Sequence, residues 1–313
     1  MKLTVACSPH IRGNFRTRRI MLDVVLALLP AMIVGIWMHG FRSLIVTLVA
    51  IASSVGFEWL YSLVTKKRNT IVDGSAVVTG MLLAMTLPAT VPYWLMILGS
   101  GFAILFVKCL CGGLGQNVFN PALSARGFMM LVAPAYMVRF EGLDGVTAAT
   151  PLHHMVMPAL PEETVLDMFL GNCPGSIGEV SALALLIGGA YLVYRKVISI
   201  RTPAAYIGTV AVLTLVFSKT GDPVSWMLYS LFSGGLMLGA IFMATDYATS
   251  PATPVGQIIY GIGCGVLTVC FRYFGLFPEG VTYAILIMNA FVWFIDRHTA
   301  MRRFGTGKGE NKA

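Results

Sequence analysis

The sequence predicts an all-α polytopic membrane protein, and three observations carry that expectation. Hydrophobic residues make up 57% of the 313, charged residues only 12%, and the mean hydropathy is +0.78. Soluble domains hold nearer about 45–50% apolar and about 25% charged residues, so this chain has too much apolar surface for one water-facing core. Apolar runs approaching the length that spans a bilayer recur along the whole chain. The basic residues gather at alternate ends of those runs. A cytosolic enzyme, a disordered chain and a small disulfide scaffold are all excluded.

Taken in order, the spans read as 20–38, 43–64, 75–91, 93–111, 120–137, 178–194, 203–218, 224–244, 255–273 and 279–295. Their sidedness tests their number. With the N-terminus inside, 17 Lys and Arg fall in inside segments and 4 (Arg42, Arg139, Lys219 and Arg272) outside. Arg126 stays within the membrane. Inside loops of membrane proteins are enriched in Lys and Arg, so ten spans with both ends inside is self-consistent. The net charge of +8 is therefore orientation and contact with anionic lipid, not a nucleic-acid footprint.

This divides the chain into a basic N-terminus (1–19), a first five-helix unit (20–137), an outer loop (138–177), a second five-helix unit (178–296) and a basic tail (297–313). Residues 1–19 are polar and basic and do not read as a signal peptide. The tail from Arg302 reads as disordered.

The two units share a motif. Gly80, Thr86, Ala89, Thr90 and Pro92 recur 159 residues later as Gly239, Thr245, Ala248, Thr249 and Pro251. One copy closes the third span on the outside and the other closes the eighth on the inside. A weaker echo puts Asp23 and Glu179 at the mouths of spans one and six. The reading is a 5+5 inverted repeat, an architecture that places binding sites near the midplane between interrupted helices.

Few ionisable residues lie near the hydrocarbon: Asp23, Glu58, Lys108, Arg126, Asp246 and Asp296. A charge facing lipid at the helix centre costs at least about 2.5–3.5 kcal/mol, so each should face protein or water. Glu58 lies deepest and is the better candidate for an ion path. Asp23 and Asp246 are further candidates, although a span-end acid can equally snorkel or cap. The six cysteines form no disulfide framework, and Cys109–Cys111 alone make a close pair, expected as free thiols.

Two loops carry unusual chemistry. Residues 111–122 (C-G-G-L-G-Q-N-V-F-N-P-A) combine three Gly that can take positive φ with the amides of Gln116, Asn117 and Asn120. Amides both donate and accept, which suits the edge of a planar heterocycle such as a flavin. A tight turn explains the same glycines equally well. The outer loop holds five of the 14 acids and the segment Glu141–Leu152, in which small residues leave the Thr150 hydroxyl accessible. Asp144 and Thr147 give that segment turn chemistry. His153 and His154 read as loop histidines, since an adjacent pair makes a poor metal site.

The motifs then carry a resemblance. D-G-V-T-A-A-T-P-L (144–152) resembles the flavinylation motif D-x-x-[ST]-x-A-T of the membrane subunits of Rnf and Na⁺-pumping NADH:quinone reductase complexes. S-P-H-I (8–11) with T-R-R-I-M-L-D-V-V-L-A-L-L-P-A (17–31), G-G-L-G-Q-N-V-F-N-P-A (112–122) and A-T-D-Y-A-T-S-P (244–251) resemble the same family. Thr147-Ala148 stands where the quinone reductase subunit typically has Ser-Gly, and the longer N-terminal extension of that subunit is missing. The resemblance is therefore closer to the D-type subunits of Rnf complexes.

It implies FMN joined through its phosphate to the Thr150 hydroxyl by a flavin transferase, and a noncovalent riboflavin in the membrane, here placed near Gln116, Asn117 and Asn120. It implies partnership with the A, B, C, E and G subunits of the complex, the iron–sulfur centre of the membrane core belonging to A and E. It implies a prokaryotic cell membrane, electron flow between ferredoxin and NAD⁺, and coupled movement of Na⁺ or H⁺. A stand-alone permease of the same fold and a cofactor-free membrane anchor are the alternatives.

Overall fold

The computed structural model describes residues 17–66, 70–140, 164–275 and 280–300. Among them the regular structure is entirely helical. Helix α1 is Thr17–His39 and α2 is Phe41–Thr65. A short 3₁₀ turn, Ile71–Asp73, leads into α3, Ser75–Met85. Helix α4, Tyr93–Gly101, continues as a wider i→i+5 segment over Phe102–Cys109. Helices α5 (Pro121–Val132), α6 (Pro134–Met137) and α7 (Val165–Leu170) follow. Then come α8 (Ala182–Tyr194), α9 (Arg201–Val216) and α10 (Pro223–Phe232). Helix α11, Leu236–Leu238, again continues in the wider pitch over Gly239–Met243. Helices α12 (Pro254–Phe274) and α13 (Val281–Thr299) close the described chain.

Every apolar run read from the sequence coincides with helix, but the lengths differ. Among the described residues, only α1, α2 and α12 are long and apolar enough to cross a membrane by length and composition, and the pair 223–232 and 236–243, bent by 63°, makes a fourth if taken together. The causes of the breaks are local. Helix α3 stops at Met85 rather than at residue 91, because Pro88 disfavours helical backbone at the residue before it. The run 120–137 divides at Ala133, ahead of Pro134. The run 224–244 divides at Ser233–Gly235, where Gly234 takes φ 64°. Caps mark clean starts: Asn120, Ser181, Asp222 and Thr253 each accept backbone N–H bonds from the first turn of the helix they precede. In the outer loop, Thr164 and Asp167 form a capping box at α7, and the Thr164 hydroxyl holds the Asp167 carboxyl below its ordinary range.

The early end of α3 is completed by another chain segment. The sequence reading starts a span at 178, whereas helix begins only at Ala182. Before it, a largely buried segment without helix supplies two backbone donors, Ile177 N to Leu87 O at 3.1 Å and Gly178 N to Met85 O at 2.8 Å. Irregular backbone at membrane depth is tolerated where protein satisfies it in this way.

Helices far apart in the chain pack together. Helix α1 lies on α8, and α5 on α13. The α1–α8 contact depends on Gly188, where a Cβ would run into the carbonyl of Ala27. Gly188→Ala is expected to lower stability by about 1–3 kcal/mol through overpacking. Gly208→Ala, on open space in α9, should leave it unchanged or raise it by about 0.5–1 kcal/mol. Thermal unfolding in detergent compares the two, and equal midpoints would refute the contact.

Candidate functional site

One cleft collects four of the polar residues that the sequence singled out, Lys108, Asn117, Asn120 and Asp246. It lies where the 111–122 loop meets α1, α3 and the segment after Met243. Asn117, Asn120, Asp246, Lys108, Thr79 and Thr245 give it polar atoms. Apolar side chains, among them Val24, Leu82, Leu192 and Phe242, make the rest of its wall. Its empty space is about 760 Å³, part of it open to solvent.

The loop's glycines do what their spacing allows. Gly112, Gly113 and Gly115 take φ of 112°, 99° and 89°, a region that side chains with a Cβ rarely enter. The turn they make buries Asn117 and Asn120 and leaves Gln116 exposed and outside the cleft.

Asn120 and Asn117 play different parts. Asn120 is the N-cap of α5: its Oδ1 accepts from Ala122 N at 3.1 Å and Leu123 N at 3.3 Å. Its Nδ2 donates to Met243 O at 3.3 Å, which ties the start of α5 to the end of the Gly239–Met243 segment. Asn120 thus shapes the cleft. Asn117 donates only to Phe119 O at 3.3 Å, and its buried Oδ1 has no hydrogen-bond partner among the described residues. A buried acceptor left unsatisfied costs about 1–3 kcal/mol. In a cleft wall it is a place for a ligand donor.

Lys108 joins the cleft to a buried ion pair. Its Nζ donates to Glu58 Oε1 and to Ser75 Oγ, both at 2.7 Å. Thr70 Oγ1 donates to the same carboxylate oxygen at 2.5 Å. Both charged side chains are almost fully buried, at 3% and 2% exposure, and Glu58 Oε2 has no partner among the described residues. Lys108 lies in the i→i+5 segment, a geometry frequent at functional sites.

The other charges separate from this group. Asp23 accepts from Tyr191 OH at 3.0 Å and pairs with Arg195 at 3.2 Å, so it joins α1 to α8. Asp246 lines the cleft and accepts from Thr249 Oγ1 at 3.3 Å. Asp296 accepts from Ala252 N at 3.1 Å. Arg126 pairs with Glu179 at 3.4 Å, both buried.

Arg272 is a buried basic residue that sequence reasoning did not single out. It donates to the carbonyls of Ser230 and, at 3.0 Å, Ser233 where α10 ends. The signal was available, since the residue lies inside the predicted span 255–273. Cys109 is buried and Cys111 exposed, and no metal-binding cluster occurs among the described residues. Asp144, Thr147, Thr150, His153 and His154 lie outside the described residues.

A family model described as "NQR2, RnfD, RnfE family" matches residues 4–305. The chain belongs to this family. Relatives extend over its full length. The chain is 46% identical to the D subunit of the Na(+)-translocating ferredoxin:NAD(+) oxidoreductase complex of Acetobacterium woodii, over 100% of this chain and 98% of that one. It is 42% identical to the D subunit of the proton-translocating ferredoxin:NAD(+) oxidoreductase complex of Clostridium ljungdahlii, covering 97% and 96%. The D subunit of the ion-translocating oxidoreductase complex of Stutzerimonas stutzeri is 38% identical, with 92% of each chain covered. Within this NQR2, RnfD, RnfE member, the cleft is built by the G-G-L-G-Q-N-V-F-N-P-A and A-T-D-Y-A-T-S-P motifs together, 112–122 and 244–251.

Proposed function

We propose that this chain is the D-type membrane subunit of an ion-translocating ferredoxin:NAD⁺ oxidoreductase complex and carries electrons across the bilayer. The observation that carries this reading is similarity over the whole chain to relatives named as that subunit. Two of those names differ in the ion, Na⁺ in one and the proton in the other. The coupled cation here is accordingly one of these two.

The finer reading has four parts. First, ten spans form a 5+5 inverted repeat with both termini cytoplasmic. In support, α1, α2 and α3 are followed at an offset of 159 by α8, α9 and the Leu236–Met243 segment, and α4 and α5 by α12 and α13. The 17-to-4 inside bias of basic residues agrees. Second, Thr150 carries FMN as a phosphoester, attached by a flavin transferase. The motif 144–152, with Asp144 and Thr147 among its residues, supports this. Third, the cleft holds riboflavin. The planar amide of Asn117, its unpartnered Oδ1 and the apolar walls suit an isoalloxazine edge. Fourth, the A, B, C, E and G subunits of the complex are the partners.

An isoalloxazine supplies one- and two-electron chemistry when bound, while protein groups set its position and potential. In the cleft, the Asn117 carbonyl is free to orient a ring N–H. Lys108 adds positive charge at the wall, offset by Glu58 behind it. The apolar side chains thin the water around both. Electron entry into such a site builds negative charge in a low-dielectric layer, and cation movement compensates it. Glu58, Asp23 and Asp246 are the carboxylates available for that path.

The test uses the whole complex, expressed with its flavin transferase. In-gel fluorescence of the denatured subunit should reveal covalent flavin, and liposomes should accumulate Na⁺ or H⁺ when reduced ferredoxin and NAD⁺ are added. Solute uptake without a donor, from a subunit carrying no flavin, would instead support the permease reading. A separate prediction addresses the cleft. Asn117→Leu removes a buried unsatisfied acceptor, so the subunit should be as stable as wild type or more stable by up to about 1–3 kcal/mol. Extraction of noncovalent flavin should fall at least about tenfold. Unchanged riboflavin content would exclude Asn117 as a contact.

A further inference from the structure

A second site lies between α8 and α9, and its polar end adjoins the candidate cleft, sharing Val197, Ile198, Thr245 and Tyr247 with it. The two helices are consecutive yet splay apart, leaving an open groove. Leu186 and Ala190 of α8 form one wall, Ala204 and Ile207 of α9 the other, and Ile241 lies between them. The lining is almost wholly apolar. At one end the groove shares Val193 and Ile198 with a second cavity of different character. That cavity is polar: Lys196, Ser199, Thr202, Ser250 and Gln257 line it.

Two carboxylates lie near this end and both are engaged, Asp296 accepting from Ala252 N and Asp246 from Thr249 Oγ1. Lys196 and Arg201 are exposed, and no carboxylate pairs with either among the described residues. The neighbouring Arg195 is already paired with Asp23. Lys196 also stands in a left-handed backbone position, φ 57°, just after α8 ends. Gly or Asn occupies such positions at little cost, whereas lysine there costs free energy. The position that projects into the hydroxyl-lined cavity is thus held by a cation despite its backbone.

We propose that this groove binds an anionic phospholipid of the cytoplasmic leaflet. Its phosphate lies in the cavity beside Lys196, with the Ser199 and Thr202 hydroxyls at hand, and an acyl chain runs along Ala190 and Ala204 over Ile241. A long amphiphile matches the continuity of an apolar groove with a basic, hydroxyl-lined end. A transmembrane helix from another subunit would fill the apolar length and leave that end without a counter-charge. Basic cavities between helices on the cytoplasmic side are a recurrent means of anionic lipid recognition.

Photoreactive phosphatidylglycerol, with a diazirine on its acyl chain, tests this on the intact complex in lipid nanodiscs. Phosphatidylcholine bearing the same diazirine is the control. Labelling should map to peptides within 186–207 and exceed the control by about fivefold, the advantage expected for one lysine near a phosphate. Lys196→Asn, which keeps the left-handed backbone comfortable, should abolish the preference and leave weak labelling by both probes. Ala204→Trp should block labelling by either. Ala190→Phe repeats the blockade from the other wall if the tryptophan variant does not yield a monodisperse complex. Equal labelling by the two probes, a preference that survives Lys196→Asn, or no labelling of 186–207 would each overturn the proposal. So would a crosslinker at residue 204 that captures a neighbouring subunit in place of lipid.

Discussion

Thr150→Ala is expected to abolish the flavin that stays with the denatured subunit and to bring electron transfer through the complex to background. A phosphoester requires a hydroxyl, and alanine removes it while leaving backbone and β-carbon in place. Thr150→Ser keeps an oxygen at the same β-carbon and should retain covalent flavin. Thr147→Ala removes another hydroxyl of the same motif, and it should retain covalent flavin as well. The set of three separates an attachment atom from a merely structural threonine. Ala148 and Ala149, the two residues before Thr150 in sequence, carry only small side chains. In-gel fluorescence supplies the readout without depending on turnover, and ferredoxin-driven NAD⁺ reduction follows it. Fluorescence that persists in Thr150→Ala would move the attachment to another residue. Fluorescence lost in Thr147→Ala as well would mean that the motif, not one oxygen, decides.

The helices and the cleft were legible in the sequence to different degrees, for physical reasons. Hydropathy locates apolar runs, since burial in lipid or protein demands the same residues, and every predicted run coincides with helix. Hydropathy does not locate the breaks. The stop at Met85 depends on Pro88, and its completion depends on backbone from Ile177 and Gly178, nearly a hundred residues away. That pairing leaves no local trace beyond a G-S-I-G run with little helix propensity. The cleft was half legible. Asn117 and Asn120 stood out because amides after a glycine turn are uncommon in an apolar chain. Their division of labour was not readable, since it depends on Asn120 reaching Met243 O at the end of the Gly239–Met243 segment. Gln116 looked equivalent to them and is exposed, because the turn places consecutive residues on opposite sides. Asp246 was read as an ion-path candidate and proves to share the cleft with both asparagines. Glu58 was picked out for its depth, but its partner was not. A carboxylate and a lysine 50 residues apart are brought to 2.7 Å only by the packing of α2 against the widened end of α4.

That pair gives the second large effect. Glu58→Leu should destabilise the subunit by about 3–5 kcal/mol, because it strands the Lys108 ammonium in a site with almost no exposure. Ser75 Oγ remains as a hydrogen-bond partner, but a neutral oxygen does not balance the charge. Lys108→Met should cost somewhat less. Its orphan, the Glu58 carboxylate, keeps a charge-assisted hydrogen bond from Thr70. The double variant Glu58→Leu with Lys108→Met should recover most of the loss, since a buried ion pair replaced by apolar groups of similar volume is often neutral. Denaturant or thermal unfolding of the four proteins forms a double-mutant cycle, with a coupling energy of at least about 2 kcal/mol expected between residues in direct contact. Recovered stability need not recover function. The double variant still lacks the cation at the cleft wall and the carboxylate behind it, so ferredoxin-driven ion uptake should stay low while the fold is intact. Single variants that each cost under about 1 kcal/mol would place the pair in a solvated setting and remove it from the cleft's electrostatics. Full ion uptake in the stable double variant would show that neither charge is needed for coupling, and would leave Asp23 and Asp246 as the carboxylates to examine.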